Sequence, residues 1–260
     1  MIKLILELLK DLIIRPRGAY VAIVRSPHAL YGALVIFAAS LLAEAAVLYL
    51  LPAGFLPGSS AKSADLLHTA VQTGVELLSI SAILFFLILF GSMARTHKGP
   101  SFALLIAAGL FIPAIAVSSF QNQTPASIGL LFAIIAMVLV GLLKFSQDPN
   151  FPYRQLAAVV LLSNGLTLPL VPFQLVAGWF RSETFYIIST VFFSLWMIRF
   201  MVIGLAYVLK LSTARSAVVF ISCIFGVMLL VSALAKTGVL PAIAAQAMEQ
   251  GTLPAAQDKD

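Results

Sequence analysis

Three ionisable residues lie inside long apolar runs of this chain: Glu44, Glu76 and Arg199. A charge at the centre of a membrane-spanning helix costs about 2.5–3.5 kcal/mol on insertion scales, so such a residue is a candidate for function by default. Two carboxylates at similar depth can bind a cation or share a proton. An arginine can bind an anion through its charged N–H donors. These are the main chemical possibilities that the sequence offers.

The two glutamates lie near the ends of their runs. Glu44 is seven residues from the outer end of the first run, and Glu76 is four residues from the outer end of the second. At about 1.5 Å per residue, both fall within roughly 10 Å of the membrane surface. We therefore expect partly solvated, structural carboxylates. A shared cation or proton is the alternative, although the pattern contains no third ligand.

Arg199 lies deeper than either glutamate. It is ten residues, about 15 Å, from the end of its run, which is too far for its side chain to reach water comfortably. Asn164 lies at nearly the same depth in the preceding run. Pro169 and Pro172 there cannot donate to the carbonyls four residues before them. The sequence predicts that Arg199 donates to Asn164 or to the freed carbonyls of Gly165 and Leu168. The alternative is an anion or headgroup site centred on Arg199.

Other chemistry has little support in the sequence. The three histidines show no metal-ligand spacing, and the single cysteine cannot form an internal disulfide. No nucleophile-elbow, zinc-protease or phosphate-loop motif occurs. Positive charge is spread over short loops instead of one nucleic-acid-binding face. We expect no enzyme activity, no metal or cofactor and no nucleic-acid partner, and the sequence defines no small-molecule substrate.

The overall composition places these residues in a membrane. Of 260 residues, 61% are hydrophobic and 10% charged, and the mean hydropathy is +1.06. A soluble domain is about 45–50% apolar and about 25% charged. We predict an all-α, polytopic integral membrane helix bundle of about seven transmembrane helices, with kinks at Pro113, Pro169 and Pro172. The predicted spans are 31–51, 72–94, 101–120, 128–145, 155–179, 185–209 and 217–235.

The basic residues orient this bundle. With the N-terminus inside, the inner segments hold 11 Lys and Arg and the outer segments hold 4. Basic residues favour the cytoplasmic side of a membrane. The pattern therefore predicts a cytoplasmic N-terminus and a C-terminus on the outside.

The segment before the first span, residues 1–30, has a different character from the bundle (31–236) and the C-terminal tail (237–260). Within Ile2–Ile14 the charges fall at 3, 7, 10 and 11, and almost all the remaining positions are Ile or Leu. This spacing predicts an amphipathic helix parallel to the membrane plane, with Lys3, Glu7 and Lys10 toward water. The alternative is that the helix packs on the bundle. Pro16 is expected to open a second short helix, which Pro27 ends.

Residues 15–27, RPRGAYVAIVRSP, resemble the stretch before the first span in bacterial members of the Yip membrane-protein family. Their pattern is a proline, Ala followed by an aromatic residue, an aliphatic residue and a second proline before an apolar helix. Two further stretches are similar: an aromatic-started helix with a central proline (102–113), and a late helix, polar turn and helix (196–230, turning at 212–216). That family usually has five spans, whereas this chain has seven predicted spans.

The resemblance implies a non-enzymatic, all-helical protein of a bacterial inner membrane, and no catalytic residues carry over from it. Eukaryotic members act in vesicle trafficking with small GTPases. We therefore expect a membrane-organising or accessory subunit that contacts the lipid bilayer and a protein partner in the membrane. The alternative is a transporter or channel component with a mid-membrane site near Arg199. A transporter would show a polar cavity between the third, fifth and sixth spans.

Overall fold

A computed structural model describes residues 2–51, 55, 66–97, 99–119, 125–145 and 148–236, and within these ranges it contains helices but no strand. The predicted C-terminal tail (237–260) lies outside the described residues. The helices are α1 (Ile2–Ile14), α2 (Pro16–Arg25), α3 (Ala29–Leu50), α4 (Leu66–Thr96), α5 (Pro100–Ser118), α6 (Pro125–Phe145), α7 (Tyr153–Asn164), α8 (Thr167–Trp179), α9 (Glu183–Leu209) and α10 (Thr213–Lys236).

Six helical stretches in the described part are long and apolar enough to cross a membrane: α3, α4, α5, α7 together with α8, α9 and α10. The predicted all-helical membrane bundle is thereby confirmed. The fourth predicted span, 128–145, corresponds to α6, whose apolar stretch Ile128–Lys144 is shorter than the others. Large apolar side chains cover the outside of the bundle. Leu42, Leu104 and Met137 are 74%, 69% and 76% exposed, as lipid-facing side chains would be.

Charged side chains fasten three turns together at one end of the bundle. At the end of α4, Arg95 pairs with Asp148 at 3.2 Å and donates to the carbonyl of Asn150 at 3.3 Å. At the start of α10, Arg215 donates to the carbonyl of His97. The α4–α5, α6–α7 and α9–α10 turns therefore share one end. The sequence places the same three turns on the inner side.

The shared position of these turns fixes the direction in which α6 runs relative to α5. The helix α5 leaves the shared end near Arg95, and α6 brings the chain back toward Asp148. The two helices pack against each other near both ends of α6, where Leu131 joins a cluster with Val117, and Leu142 lies beside Gly109. The helix α6 thus runs alongside α5 in the opposite direction.

The two N-terminal helices pack on this bundle. Leu8 and Leu12 of α1 are fully buried in the main core, whereas Glu7 and Lys10 are exposed. Gly32 of α3 allows the close approach, because a Cβ there would lie 2.8 Å from Leu8 Cδ1. The predicted helix is confirmed, and it contacts the bundle. Its orientation to the membrane plane remains a prediction, and the side chain of Lys3 lies outside the described residues.

The second helix follows the proline pattern. Pro16 is the first residue of α2, where its missing N–H is not needed, and the helix ends at Arg25, before Pro27. On its inner side Tyr20 and Ile23 are buried. The helix α2 thus packs against α1 and against α7 and α9 of the bundle.

Cysteine labelling tests whether α6 crosses the membrane. The native Cys223 is 1% exposed, so background reaction with an impermeant maleimide should be low. We expect Ser119→Cys, between α5 and α6, and Pro149→Cys, between α6 and α7, to react on opposite sides of oriented vesicles. Thr96→Cys should react on the same side as Pro149→Cys. Labelling of Ser119→Cys and Pro149→Cys on one side would show that α6 does not cross.

Candidate functional site

The fifth predicted span is broken into α7 and α8 at Gly165 and Leu166. Both residues have helical but tightened backbone angles, with φ near −62° and −68° and ψ near −12° and −11°. The N–H of Leu166 donates to Ser163 O and that of Leu168 to Gly165 O, each at 3.2 Å. These i to i+3 bonds are typical of a 3₁₀ turn. The break was predicted, and Pro169 lies in the first turn of α8, where a missing N–H is tolerated.

Polar side chains at the break bond to the adjacent backbone. The Asn164 amide donates to Val160 O at 2.9 Å, and the Ser163 hydroxyl donates to the same carbonyl at 2.7 Å. On the far side, the Thr167 hydroxyl donates to Asn164 O at 2.9 Å. Backbone carbonyls around the break therefore accept hydrogen bonds from side chains of the same segment, as a dry environment requires.

Arg199 does not contact this break, so the predicted capping interaction was wrong. Its side chain is exposed on α9, and its guanidinium carbon lies 5.3 Å from the centre of the Trp196 ring. Among the described residues, no hydrogen bond joins it to Asn164, Gly165 or Leu168. The prediction failed because the Gly165 carbonyl, which Pro169 leaves without its usual donor, accepts from Leu168 instead.

Directly after Arg199, the inward side of α9 is anchored to α2. The Tyr20 hydroxyl donates to Phe200 O at 2.9 Å, and the two rings lie 4.9 Å apart. Gly204 admits the tyrosine ring, because a Cβ there would lie 3.1 Å from Tyr20 Cε1. Burial raises the pKa of Tyr20 well above its ordinary value, and the positive charge of Arg199 opposes this shift to a smaller extent. Tyr20 is therefore a neutral hydrogen-bond donor at physiological pH.

Among the remaining predicted polar residues, Glu44 does not join Arg199 in one site. Glu44 is half-buried on α3, and no ion pair or hydrogen bond links it to Arg199 or Asn164 within the described part of the chain. Glu76 lies in α4, and its side chain is outside the described residues. No group of three His, Cys, Asp or Glu side chains that could hold a metal occurs among the residues described.

The other predicted kink prolines lie inside helices that continue past them. Pro113 is buried within α5, and Pro172 is within α8. The interruption of the fifth run instead falls at Gly165, several residues before Pro172. There α7 closely approaches α3, because a Cβ on Gly165 would lie 2.5 Å from Ile36 Cγ2.

The sequence analysis missed two residues with clear roles. Asp148 makes the only salt bridge among the described residues, with Arg95. The sequence feature that could have identified it is an acidic residue within a basic inner loop. Tyr20 anchors α2 to α9, and the sequence feature that could have identified it is its place in the Ala-aromatic pattern of residues 15–27. Neither residue lies within a predicted span.

Comparisons of the chain with protein-family models, with curated proteins and with solved structures found no match. The resemblance to the Yip family therefore remains a prediction based on its motifs.

A matched pair of glycine substitutions tests the approach of α7 to α3. Gly165→Ala places a methyl group against Ile36, so we expect the free energy of unfolding to fall by about 1–3 kcal/mol. Gly129→Ala, on an exposed position of α6 with open space around it, should be neutral or slightly stabilising. Unfolding in mixed detergent micelles, followed by circular dichroism, measures both. Equal effects of the two changes would contradict the close approach.

Removal of one hydroxyl tests the link between α2 and α9. Tyr20→Phe keeps the ring but loses the donor to Phe200 O, and we expect a loss of about 1 kcal/mol in unfolding free energy at pH 7. Tyr31→Phe is the control, because Tyr31 is 60% exposed. The same unfolding assay applies. A Tyr20→Phe chain as stable as the Tyr31→Phe chain would show that the hydrogen bond does not stabilise the fold.

Proposed function

We propose that this chain is a non-catalytic accessory or organising subunit of a complex in a bacterial cytoplasmic membrane, as its resemblance to the Yip family implies. The observation that carries the proposal is the exposed position of Arg199 on an otherwise apolar face of α9. An intramembrane cation that has no acidic partner within the described chain needs one from outside.

The surroundings of Arg199 fit a partner helix. Ile188, Val191, Leu195 and Ile198 are 61%, 51%, 62% and 40% exposed, and they recur every three or four residues beside Arg199. Such a spacing forms one continuous stripe along a helix, which a second helix can cover. The partner in this proposal is a transmembrane helix that presents an Asp or Glu at the depth of Arg199.

The same position weighs against the transporter alternative. A transport site at Arg199 requires its guanidinium to line a polar path between α5, α8 and α9. Instead the guanidinium stacks on Trp196 at the outer surface of α9. This placement favours a contact between chains.

The proposed orientation has the N-terminus inside and the C-terminus outside. It is supported by the excess of basic residues in the inner segments and by the grouping of three of those turns at one end of the bundle.

Site-specific crosslinking in native membranes tests the proposed interface. A photo-reactive residue at Leu195 should give a discrete adduct with a protein whose contacting helix carries an intramembrane Asp or Glu. Arg199→Leu should lower the adduct yield at least about tenfold, because it leaves that carboxylate unpaired, whereas Arg199→Lys should lower it less. Leu42, 74% exposed on α3, is the matched control position.

Two results would contradict this interface. One is a Leu195 adduct whose yield does not change in Arg199→Leu. The other is an adduct of the same mass and yield at Leu42. Circular dichroism of Arg199→Leu should show an intact fold, since the exposed side chain makes no hydrogen bond or ion pair among the described residues.

A further inference from the structure

An apolar groove of about 520 Å³ lies between α5, from Gly99 to Phe111, and the first turns of α10. Phe102, Ile106, Leu110 and Val218 form its walls, and Arg215 lies at one end. Small side chains among its lining residues, Ala103 and Ala107 of α5 and Ala214 of α10, leave this space open. It is separate from Arg199 and from the stripe on α9.

The length of the groove matches one leaflet of a bilayer. It extends along α5 from Gly99 to Phe111, which is about 18 Å at 1.5 Å per residue. The hydrocarbon core of a bilayer is about 30 Å thick, so one leaflet is about 15 Å deep. A helix about 10 Å across would need about 1,400 Å³ over that length, far more than the groove provides. The groove can therefore enclose one acyl chain but not a whole partner helix.

The charge at the end of the groove is not neutralised by the chain. Arg215 is half-buried, donates to His97 O and stacks on the Phe102 ring at 5.1 Å. Among the described residues no carboxylate pairs with it, in contrast to Arg95, which Asp148 neutralises. A guanidinium has five N–H donors, so several remain for a ligand.

The helix geometry adds to this positive potential. Both α5 and α10 begin beside Arg215, and the start of α5 has no side-chain cap. The first turn of a helix carries a partial positive charge, which favours anions. The groove thus combines a cationic end with an apolar length.

We propose that this groove binds an anionic phospholipid, with its phosphodiester on Arg215 and one acyl chain along Ile106 and Leu110. Arginine binds phosphate oxygens through paired, charge-assisted hydrogen bonds. The stacking on Phe102 holds the guanidinium plane in place at the mouth of the groove. This binding does not depend on the accessory role proposed above, because it uses none of the α9 interface.

Lipid binding to the full chain in mild detergent tests the proposal. Native mass spectrometry and thermal unfolding would compare phosphatidylglycerol, phosphatidylcholine with the same chains, and inorganic phosphate. We expect phosphatidylglycerol to bind and to raise the melting temperature. The other two probes should bind at least about tenfold more weakly, because the choline cation opposes the positive end of the groove and inorganic phosphate has no acyl chain.

Two variants test separately how the cationic end and the apolar part of the groove contribute to lipid binding. Arg215→Gln should weaken phosphatidylglycerol binding roughly tenfold. Ala107→Leu fills the groove, leaves Arg215 in place and suits a helix, so it should also reduce binding without unfolding the chain. Arg154→Gln is the control, because it removes an equal charge from an exposed position on α7.

Several results would overturn the proposal. Equal binding of phosphatidylcholine would show that the headgroup charge is not recognised, and an equal effect of inorganic phosphate would assign the site to a free anion. Normal phosphatidylglycerol binding by Ala107→Leu would place the lipid elsewhere. If Arg215→Gln fails to fold because the contact with His97 is lost, Ala107→Leu decides the question.

Discussion

A bilayer offers no water to an unpaired backbone group, and this constraint governs the interior of the bundle. It is most visible where α7 gives way to α8. Pro169 deprives the Gly165 carbonyl of its usual donor, and the tightened turn supplies Leu168 N–H instead. Asn164 and Thr167 add side-chain bonds on either side of the break. An interruption that could have required a charged residue is therefore completed by short polar side chains from the same segment.

Arg95, Arg199 and Arg215 differ in whether a carboxylate neutralises their charge. This difference separates the arginine that stabilises the fold from the two that are proposed to bind a partner or a lipid. Arg95 meets the Asp148 carboxylate and the ring of Phe151 at the end of α4, so its charge holds a loop in place. Arg215 and Arg199 each lie on an aromatic ring without a carboxylate among the described residues. Arg215 lies at the end of an apolar groove and Arg199 on an open apolar face. The first placement suits a lipid phosphate, and the second suits a carboxylate on another helix.

Much of the fold follows from the sequence, but the candidate site does not. The helical character, the start of α2 at Pro16 and the interruption near Pro169 are local properties of composition and proline chemistry. The direction of Arg199 depends instead on the rotation of α9 against α7 and α8. Matched depth along two helices does not fix that rotation. Partnering of Arg95 by Asp148 likewise depends on how a distant loop returns to α4, which no local pattern encodes.

The sequence Gly-Leu-x-x-Pro occurs twice, at 109–113 and at 165–169. The residues around each copy decide whether the helix continues or breaks there. Around Gly109 and Pro113, α5 continues without a break, whereas the chain turns at Gly165 before Pro169. Ser, Asn and Thr surround the second stretch and offer bonds that replace the helical ones, whereas alanines precede the first. The break allows Gly165 to approach α3. In an apolar 18-residue stretch of α7 and α8, 56% of the residues are buried, against 28% in the corresponding stretch of α9. The central span is thus occupied by contacts within the chain, whereas α9 and the groove between α5 and α10 lie at the surface of the bundle, where a partner helix and a lipid can reach them.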